Sequence, residues 1–217
     1  MWNLSETLWK VGLIPVVTLD QSERALSLAR ALIEGGLPCV EITFRTVAAE
    51  ESIRLIVKDF PDMLTGAGTV LSVDQAKRAI GAGASYIVSP GFAPSVVDLC
   101  QRNGIPVLPG VATPTEILMA LGKGINLVKF FPAEALGGAR MLDALAAPFG
   151  SVKFIPTGGI NALNLPNYLT RNSVLACGGS WLATGALLKA GAYAEIARLT
   201  REAVDIVADA RGQGGKL

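Results

Sequence analysis

Lys129 stands where a lysine is costly. The stretch Ile125-Asn126-Leu127-Val128-Lys129-Phe130-Phe131-Pro132 is otherwise largely apolar and strand-like. Burial disfavours an ammonium and favours the neutral amine, the nucleophile that Schiff-base chemistry with a ketone requires. The plainer alternative is an ammonium held by a buried carboxylate. Lys153, in Ser151-Val152-Lys153-Phe154-Ile155, is the rival nucleophile. It enters its run five residues before Gly158, whereas Lys129 lies three residues before Pro132, near the end of its strand. Functional groups of parallel α/β barrels gather at strand ends, which favours Lys129. Lys10, Lys58, Lys77, Lys123, Lys189 and Lys216 read as surface charges.

A carboxylate stands in a second such run, Pro38-Cys39-Val40-Glu41-Ile42-Thr43-Phe44-Arg45-Thr46. Strand alternation puts Val40, Ile42 and Phe44 on one face, suited to packing against helices, and Glu41, Thr43 and Arg45 on the other. An inward carboxylate is expensive unless it is paired or used. Glu41 and Arg45 are about 13 Å apart along an extended strand, too far for a local ion pair. Either each finds another buried partner, or Glu41 moves protons and Arg45 holds an anion.

Two glycine turns close the last two candidate strands, Pro156-Thr157-Gly158-Gly159-Ile160-Asn161 and Cys177-Gly178-Gly179-Ser180-Trp181. Glycines at such turns let backbone amides approach an anion, and loops after strands seven and eight are a common phosphate site in these barrels. Tight turns need glycine in any case, so the pair of turns carries the phosphate reading rather than either alone.

Composition narrows the chemistry further. The chain holds 19 basic and 18 acidic residues, a net charge of +1, with no block of either sign, so no nucleic acid or anionic membrane is expected as partner. Histidine is absent, which removes Ser-His-Asp and Cys-His arrangements and any histidine metal site. No metal is expected. Cys39, Cys100 and Cys177 have no metal-like spacing and read as buried thiols of a reducing cytoplasm. Hydrophobic residues make up 51% of the chain. No apolar run approaches the roughly 20 residues of a membrane span. The start, Met1 to Lys10, lacks the pattern of a signal peptide, and Asn3 or Ser5 could cap a short helix there. The apolar excess instead fits a parallel sheet buried on both faces, with some left for self-association.

These side chains need elements to aim them. Short apolar runs at 12–19, 39–44, 64–69, 86–89, 106–109, 126–131, 152–157 and 174–178 are each followed by a helical pattern. Thr113-Pro114-Thr115-Glu116 reads as a capping box with proline at the first helical position, and Ser72-Val73-Asp74-Gln75 as a similar helix start. Gly36, Gly83, Gly104 and Gly124 read as glycines that end helices. Eight β-α units predict one domain over residues 1–217, an α/β chain folded as a (β/α)₈ TIM barrel behind a short extra N-terminal helix. An open doubly wound sheet is the alternative. The tail from Arg211 to Leu217 is glycine-rich and is expected to fray.

The chain resembles the family of 2-keto-3-deoxy-6-phosphogluconate (KDPG) and 4-hydroxy-2-oxoglutarate (KHG) aldolases. The resemblance rests on Val40-Glu41-Ile42-Thr43-Phe44-Arg45-Thr46, Gly66-Ala67-Gly68-Thr69-Val70, Ser89-Pro90-Gly91, Pro109-Gly110-Val111-Ala112-Thr113, Val128-Lys129-Phe130-Phe131-Pro132-Ala133-Glu134, Pro156-Thr157-Gly158-Gly159-Ile160 and Gly178-Gly179-Ser180-Trp181, which span almost the whole chain. It implies a class I aldolase with no cofactor. Lys129 would form the imine with the substrate ketone, and Glu41 would move protons, through a water. Arg45 and Thr69 would hold the pyruvyl carboxylate, and Phe131 would pack on the pyruvyl group. Thr157 would lie near the sugar hydroxyls, while Gly158, Gly159, Gly179 and Ser180 would bind the phosphate. It also implies a homotrimer. Some relatives carry an arginine at the end of the first strand, where this chain reads Val17-Thr18-Leu19; phosphate binding here would then rest on amides and hydroxyls. An unphosphorylated or C4-epimeric substrate stays open, as do a phosphosugar isomerase or epimerase on the same barrel and a non-catalytic anion binder.

Overall fold

The computed structural model describes residues 4–212; Asn3, Lys216 and the tail from 213 onward lie outside them. The chain alternates strands and helices: α1 (Leu4–Val11), β1 (Leu13–Val17), α2 (Ala25–Glu34), β2 (Cys39–Thr43), α3 (Ala49–Asp59), β3 (Leu64–Gly68), α4 (Val73–Gly81), β4 (Tyr86–Val88), α5 (Pro94–Arg102), β5 (Val107–Leu108), β6 (Gly110–Val111), α6 (Pro114–Gly122), β7 (Leu127–Phe130), α7 (Gly138–Ala146), β8 (Lys153–Pro156), α8 (Leu165–Leu169), β9 (Cys177–Gly179), α9 (Gly185–Lys189) and α10 (Tyr193–Ala210). The strands form a curled parallel arrangement. One sheet runs β5-β4-β3-β2-β1-β9 and the other β6-β7-β8. Parallel bridges Phe154–Val174 and Thr157–Gly178 link β8 to the chain segment of β9.

Local chemistry explains these boundaries. Thr113 caps α6 in a reciprocal capping box with Glu116, behind Pro114, and Ser72 caps α4 by accepting from the Gln75 amide. The helix-ending glycines Gly36, Gly83, Gly104 and Gly124 all adopt left-handed backbone, φ from +67° to +95°. Two strands differ from the sequence expectation. The run at 106–109 is divided: β5 pairs with β4, and β6 pairs with β7. Pro109 lies between them with no N–H for a ladder, and its carbonyl accepts the Lys129 amide at 2.9 Å. The run at 174–178 makes one bridge at Val174 and becomes a strand only at Cys177, where it pairs with β1.

The apolar surplus is spent in three places. Two large clusters fill the space between strands and helices on either side. A third lies on the inner face near the strand starts, with Ile14, Leu64, Tyr86, Leu127 and Ile155, and α1 drives Leu8 into it with no exposed surface. That leaves the other end of the strands open for chemistry. Among the described residues no helix is long and apolar enough to cross a membrane.

Candidate active site

Strand alternation aims the two ionisable candidates at each other. Val128 and Phe130 are wholly buried against helices, so Leu127, Lys129 and Phe131 face inward. In register, Lys129 lies beside Gly110 and Ile155, and Glu41 beside Val16 and Gly66. Although 88 residues apart in sequence, Lys129 Nζ and Glu41 Oε1 are 3.2 Å apart. Both are buried, at 6% and 3% exposure. The Phe131 ring centroid lies 5.5 Å from Nζ, within cation–π range. The buried carboxylate that could have made Lys129 merely structural is thus Glu41 itself, the other candidate for chemistry. One arrangement serves both readings of each residue, and what surrounds it decides between them.

Space for the carboxylate comes from Gly68. A Cβ there would lie 2.1 Å from Glu41 Oε1. The next residue, Thr69, has φ +54°. A β-branched residue in the left-handed region is costly and persists where a site demands it.

A cavity of about 190 Å³ opens at this end of the strands, lined by Thr18, Thr43, Arg45, Phe131, Thr157, Gly158, Gly159, Gly178 and Ser180, with Val16 and Ile160 completing the wall. Thr18 and Thr43 share a hydroxyl–hydroxyl bond of 2.7 Å across neighbouring strands. Arg45 is exposed and enters no ion pair among the described residues, so the cavity keeps an uncompensated cation at its rim. Thr69 does not line the cavity; it is half-buried where β3 ends.

The two glycine turns meet here, side by side through the Thr157–Gly178 bridge. Gly158 and Gly159 have φ +101° and +81°. Their carbonyls are occupied by the fold: Gly158 O accepts the Glu134 amide at 3.0 Å, and Gly159 O accepts Asn164 Nδ2 at 3.0 Å. The Gly159 and Ile160 amides find no acceptor among the described residues, which leaves two consecutive donors on a cavity-lining loop. In the second turn Gly178 and Ser180 face the cavity, whereas Gly179 turns the other way and its Cα packs on the Trp181 ring. Gly178 had no role in the sequence reading, although strand parity from Ser180 points to it.

The remaining reactive groups lie elsewhere. Lys153 is exposed at the start of β8, the end opposite the cavity, and donates to Asn172 O at 2.7 Å. Burial pushes the Cys39 thiol up to about 12 and the Cys100 thiol up to about 11, and raises Cys177 further. All three are free and protonated at neutral pH, hence poor nucleophiles. Among the described residues no group of three His, Cys, Asp or Glu side chains could hold a metal ion.

Comparison with known proteins agrees with this geometry. The family described as KDPG and KHG aldolase matches residues 4–199. A 2-dehydro-3-deoxy-phosphogluconate aldolase of Treponema pallidum is 50% identical over 207 residues, covering 95% of this chain and 99% of its own. The KHG/KDPG aldolase of Escherichia coli K12 is 41% identical over 206 residues, covering 94% and 97%. The crystal structure of KDPG aldolase from Legionella pneumophila, with pyruvate captured as a covalent carbinolamine intermediate, superposes with a TM-score of 0.89 at 39% identity, covering 92% of this chain and 97% of that one. A lysine and a carboxylate buried together beside an anion-ready loop, on a chain matched almost end to end, place this protein in the KDPG and KHG aldolase family of carbon–carbon lyases.

Proposed function

We propose that the chain is a class I aldolase that cleaves KDPG to pyruvate and D-glyceraldehyde 3-phosphate and also acts on 4-hydroxy-2-oxoglutarate. The observation that carries this reading is the 3.2 Å contact between buried Lys129 and Glu41. Glu41 is within reach to take the ammonium proton, freeing the amine to attack the substrate ketone. Loss of water from the carbinolamine leaves a protonated imine. As the C3–C4 bond breaks, its electrons enter the imine and give an enamine, and the C4 hydroxyl proton passes to a base. Protonation of the enamine at C3 and hydrolysis then release pyruvate and the free lysine. Glu41, directly or through a water, is the proton carrier of each step. The protonated imine does the polarising, so no metal or external cofactor is required.

Arg45 would hold the carboxylate, with Thr69 at the same strand ends, and Phe131 would cover the pyruvyl group. Thr157 would meet the sugar hydroxyls. The phosphate would sit on the Gly159 and Ile160 amides, with Gly158, Gly178 and Ser180 around it, Gly178 taking the place expected of Gly179. We further infer that the two parallel sheets form one closed (β/α)₈ barrel, sealed by the bridges at Val174 and Gly178, and that three such chains associate. Exposed Val47, Leu71, Leu118 and Met119 supply apolar surface for that contact. Free thiols suit a cytoplasmic protein. A phosphosugar isomerase would use the glycine turns but has no need of the Lys129–Glu41 contact.

The test is borohydride reduction in the presence of pyruvate. A mass gain of one reduced pyruvyl group, on the peptide carrying Lys129, is expected. It should persist, with cleavage, after exhaustive EDTA treatment. Absence of an adduct would remove the imine mechanism, and an EDTA loss restored by Zn²⁺ or Mg²⁺ would replace it with metal catalysis.

Phosphate recognition is tested by Ser180→Asp. A carboxylate on the cavity wall repels the phosphate, and KM for KDPG should rise about tenfold or more. KM for 4-hydroxy-2-oxoglutarate should change little. Equal losses on both substrates would mean that the turn is distorted or that no phosphate lies there.

A further inference from the structure

Glu134 belongs to the Lys-Phe-Phe-Pro-Ala-Glu run, yet neither the imine chemistry nor the anion contacts use it. Its backbone amide donates to Gly158 O at 3.0 Å, beside a parallel bond from Ala133 N to Thr157 O at 2.8 Å. Its stem is the floor under the glycine turn: a Cβ on Gly159 would lie 2.6 Å from Glu134 Cβ and 2.7 Å from Cγ. Its carboxylate is drawn away from the turn, toward Tyr168 in α8, whose hydroxyl donates to Glu134 Oε1. Gly138, at φ +63°, closes over that pair. A Cβ there would lie 3.1 Å from Oε1 and 3.2 Å from Tyr168 Oη.

The two partners differ in freedom. Tyr168 is wholly buried, whereas Glu134 is exposed on its other side. Burial, and next the bond to Glu134, hold the Tyr168 phenol well above its ordinary range, so it stays a donor throughout the working pH. A carboxylate close to a phosphate site is an electrostatic liability unless something fixes where it points. Here a buried, permanently protonated phenol does so.

We propose that Glu134 and Tyr168 are positioning residues for phosphate recognition: Tyr168 pins the Glu134 carboxylate away from the glycine turn, and the Glu134 stem holds Gly159 where its amide and that of Ile160 meet the phosphate. Neither touches the reacting atoms. Their effect falls on the phosphate end of the substrate, because the Glu134 stem packs under Gly159 and Tyr168 bonds its carboxylate, whereas Lys129 meets Glu41 on the inward face of β7. This rests on the phosphate reading above and assigns its specificity to two residues outside the cavity wall.

The experiment compares Tyr168→Phe, Glu134→Ala and Glu134→Gln with wild type. Tyr168→Phe keeps the ring in the core and removes only the hydroxyl, so the fold is retained. Tyr168→Phe and Glu134→Ala should raise KM for KDPG about tenfold, the scale of a small displacement of a binding group, with kcat near wild type. Both constants for 4-hydroxy-2-oxoglutarate should stay within about twofold. Glu134→Gln keeps the stem and an acceptor oxygen and should restore most of the KDPG affinity. Inorganic phosphate, titrated by calorimetry, should bind about tenfold more weakly to the first two variants and normally to the third. Equal losses on both substrates, or unchanged phosphate binding, would overturn the positioning role. The phosphate titration is read on its own, so a wild-type protein that binds phosphate but does not cleave KDPG would sink the substrate assignment and leave the positioning role to be judged by binding. A wild-type protein that does not bind phosphate would sink both.

Discussion

Replacing Lys129 with alanine is expected to abolish both cleavage and borohydride trapping, leaving no activity above the uncatalysed rate. The imine is the electron sink for C3–C4 cleavage, and among the described residues no other lysine pairs with Glu41. The variant also leaves a carboxylate with 3% exposure unpaired. Breaking a buried pair from one side costs up to about 3–5 kcal/mol, so a drop in Tm should accompany the loss of activity. Lys129→Arg separates the two effects. A guanidinium keeps the positive charge beside Glu41 but does not deprotonate, so it cannot form an imine. It should be more stable than the alanine variant and equally inactive. Lys153→Ala should retain most activity, since Lys153 is exposed and occupied with Asn172 O at the opposite strand end. Trapping that peptide mapping places on Lys153 would reverse the assignment.

Glu41→Gln is expected to lower kcat by about 10²-fold or more, the usual scale for loss of a general acid–base group. Glutamine fits the space that Gly68 leaves and still accepts from Lys129 Nζ, so packing and reach are kept while proton transfer is lost. Trapping of pyruvate on Lys129 should slow without vanishing, because carbinolamine formation and dehydration also need proton transfers. Exchange of the pyruvate methyl protons with solvent should fall in step with cleavage, since both pass through the enamine. Near-wild-type exchange and cleavage would show that water or another group carries the proton, and the 3.2 Å contact would then be a structural ion pair only.

Much of this was legible because parallel strands leave a strong trace. Ionisable residues on the inward parity of apolar runs singled out Lys129 and Glu41 as candidates, and distance to the strand end favoured Lys129 over Lys153. What could not be read is which inward residues meet across the interior. Glu41 sits 3.2 Å from Lys129 because β2 and β7 face each other, a relation set by sheet curvature rather than by spacing in sequence. Gly68 carried no stated reason in the sequence, and its reason is a carboxylate oxygen that a Cβ would strike. Gly179 and Gly178 are neighbours in sequence, and only the pleat decides that Gly178 lines the cavity while Gly179 packs on Trp181. The division at Pro109 likewise depends on β5 and β6 having different partners.

The order of strands has a consequence for how the molecule comes into being. β9, near the end of the chain, pairs with β1, near its start, and Glu41 meets Lys129 only across 88 residues. A chain emerging from the ribosome therefore exposes the flank of β1 and carries an uncompensated inward carboxylate until more than half its length is made. Such distant pairings close slowly, because loop entropy is lost before the contacts form. Helical signal should return first on refolding, and aldol cleavage last, with the docking of the final strand. Catalytic competence is in this sense a clock for completed assembly, and a nascent fragment lacking its last 40 or so residues would hold both reactive side chains yet leave β1 paired with β2 alone.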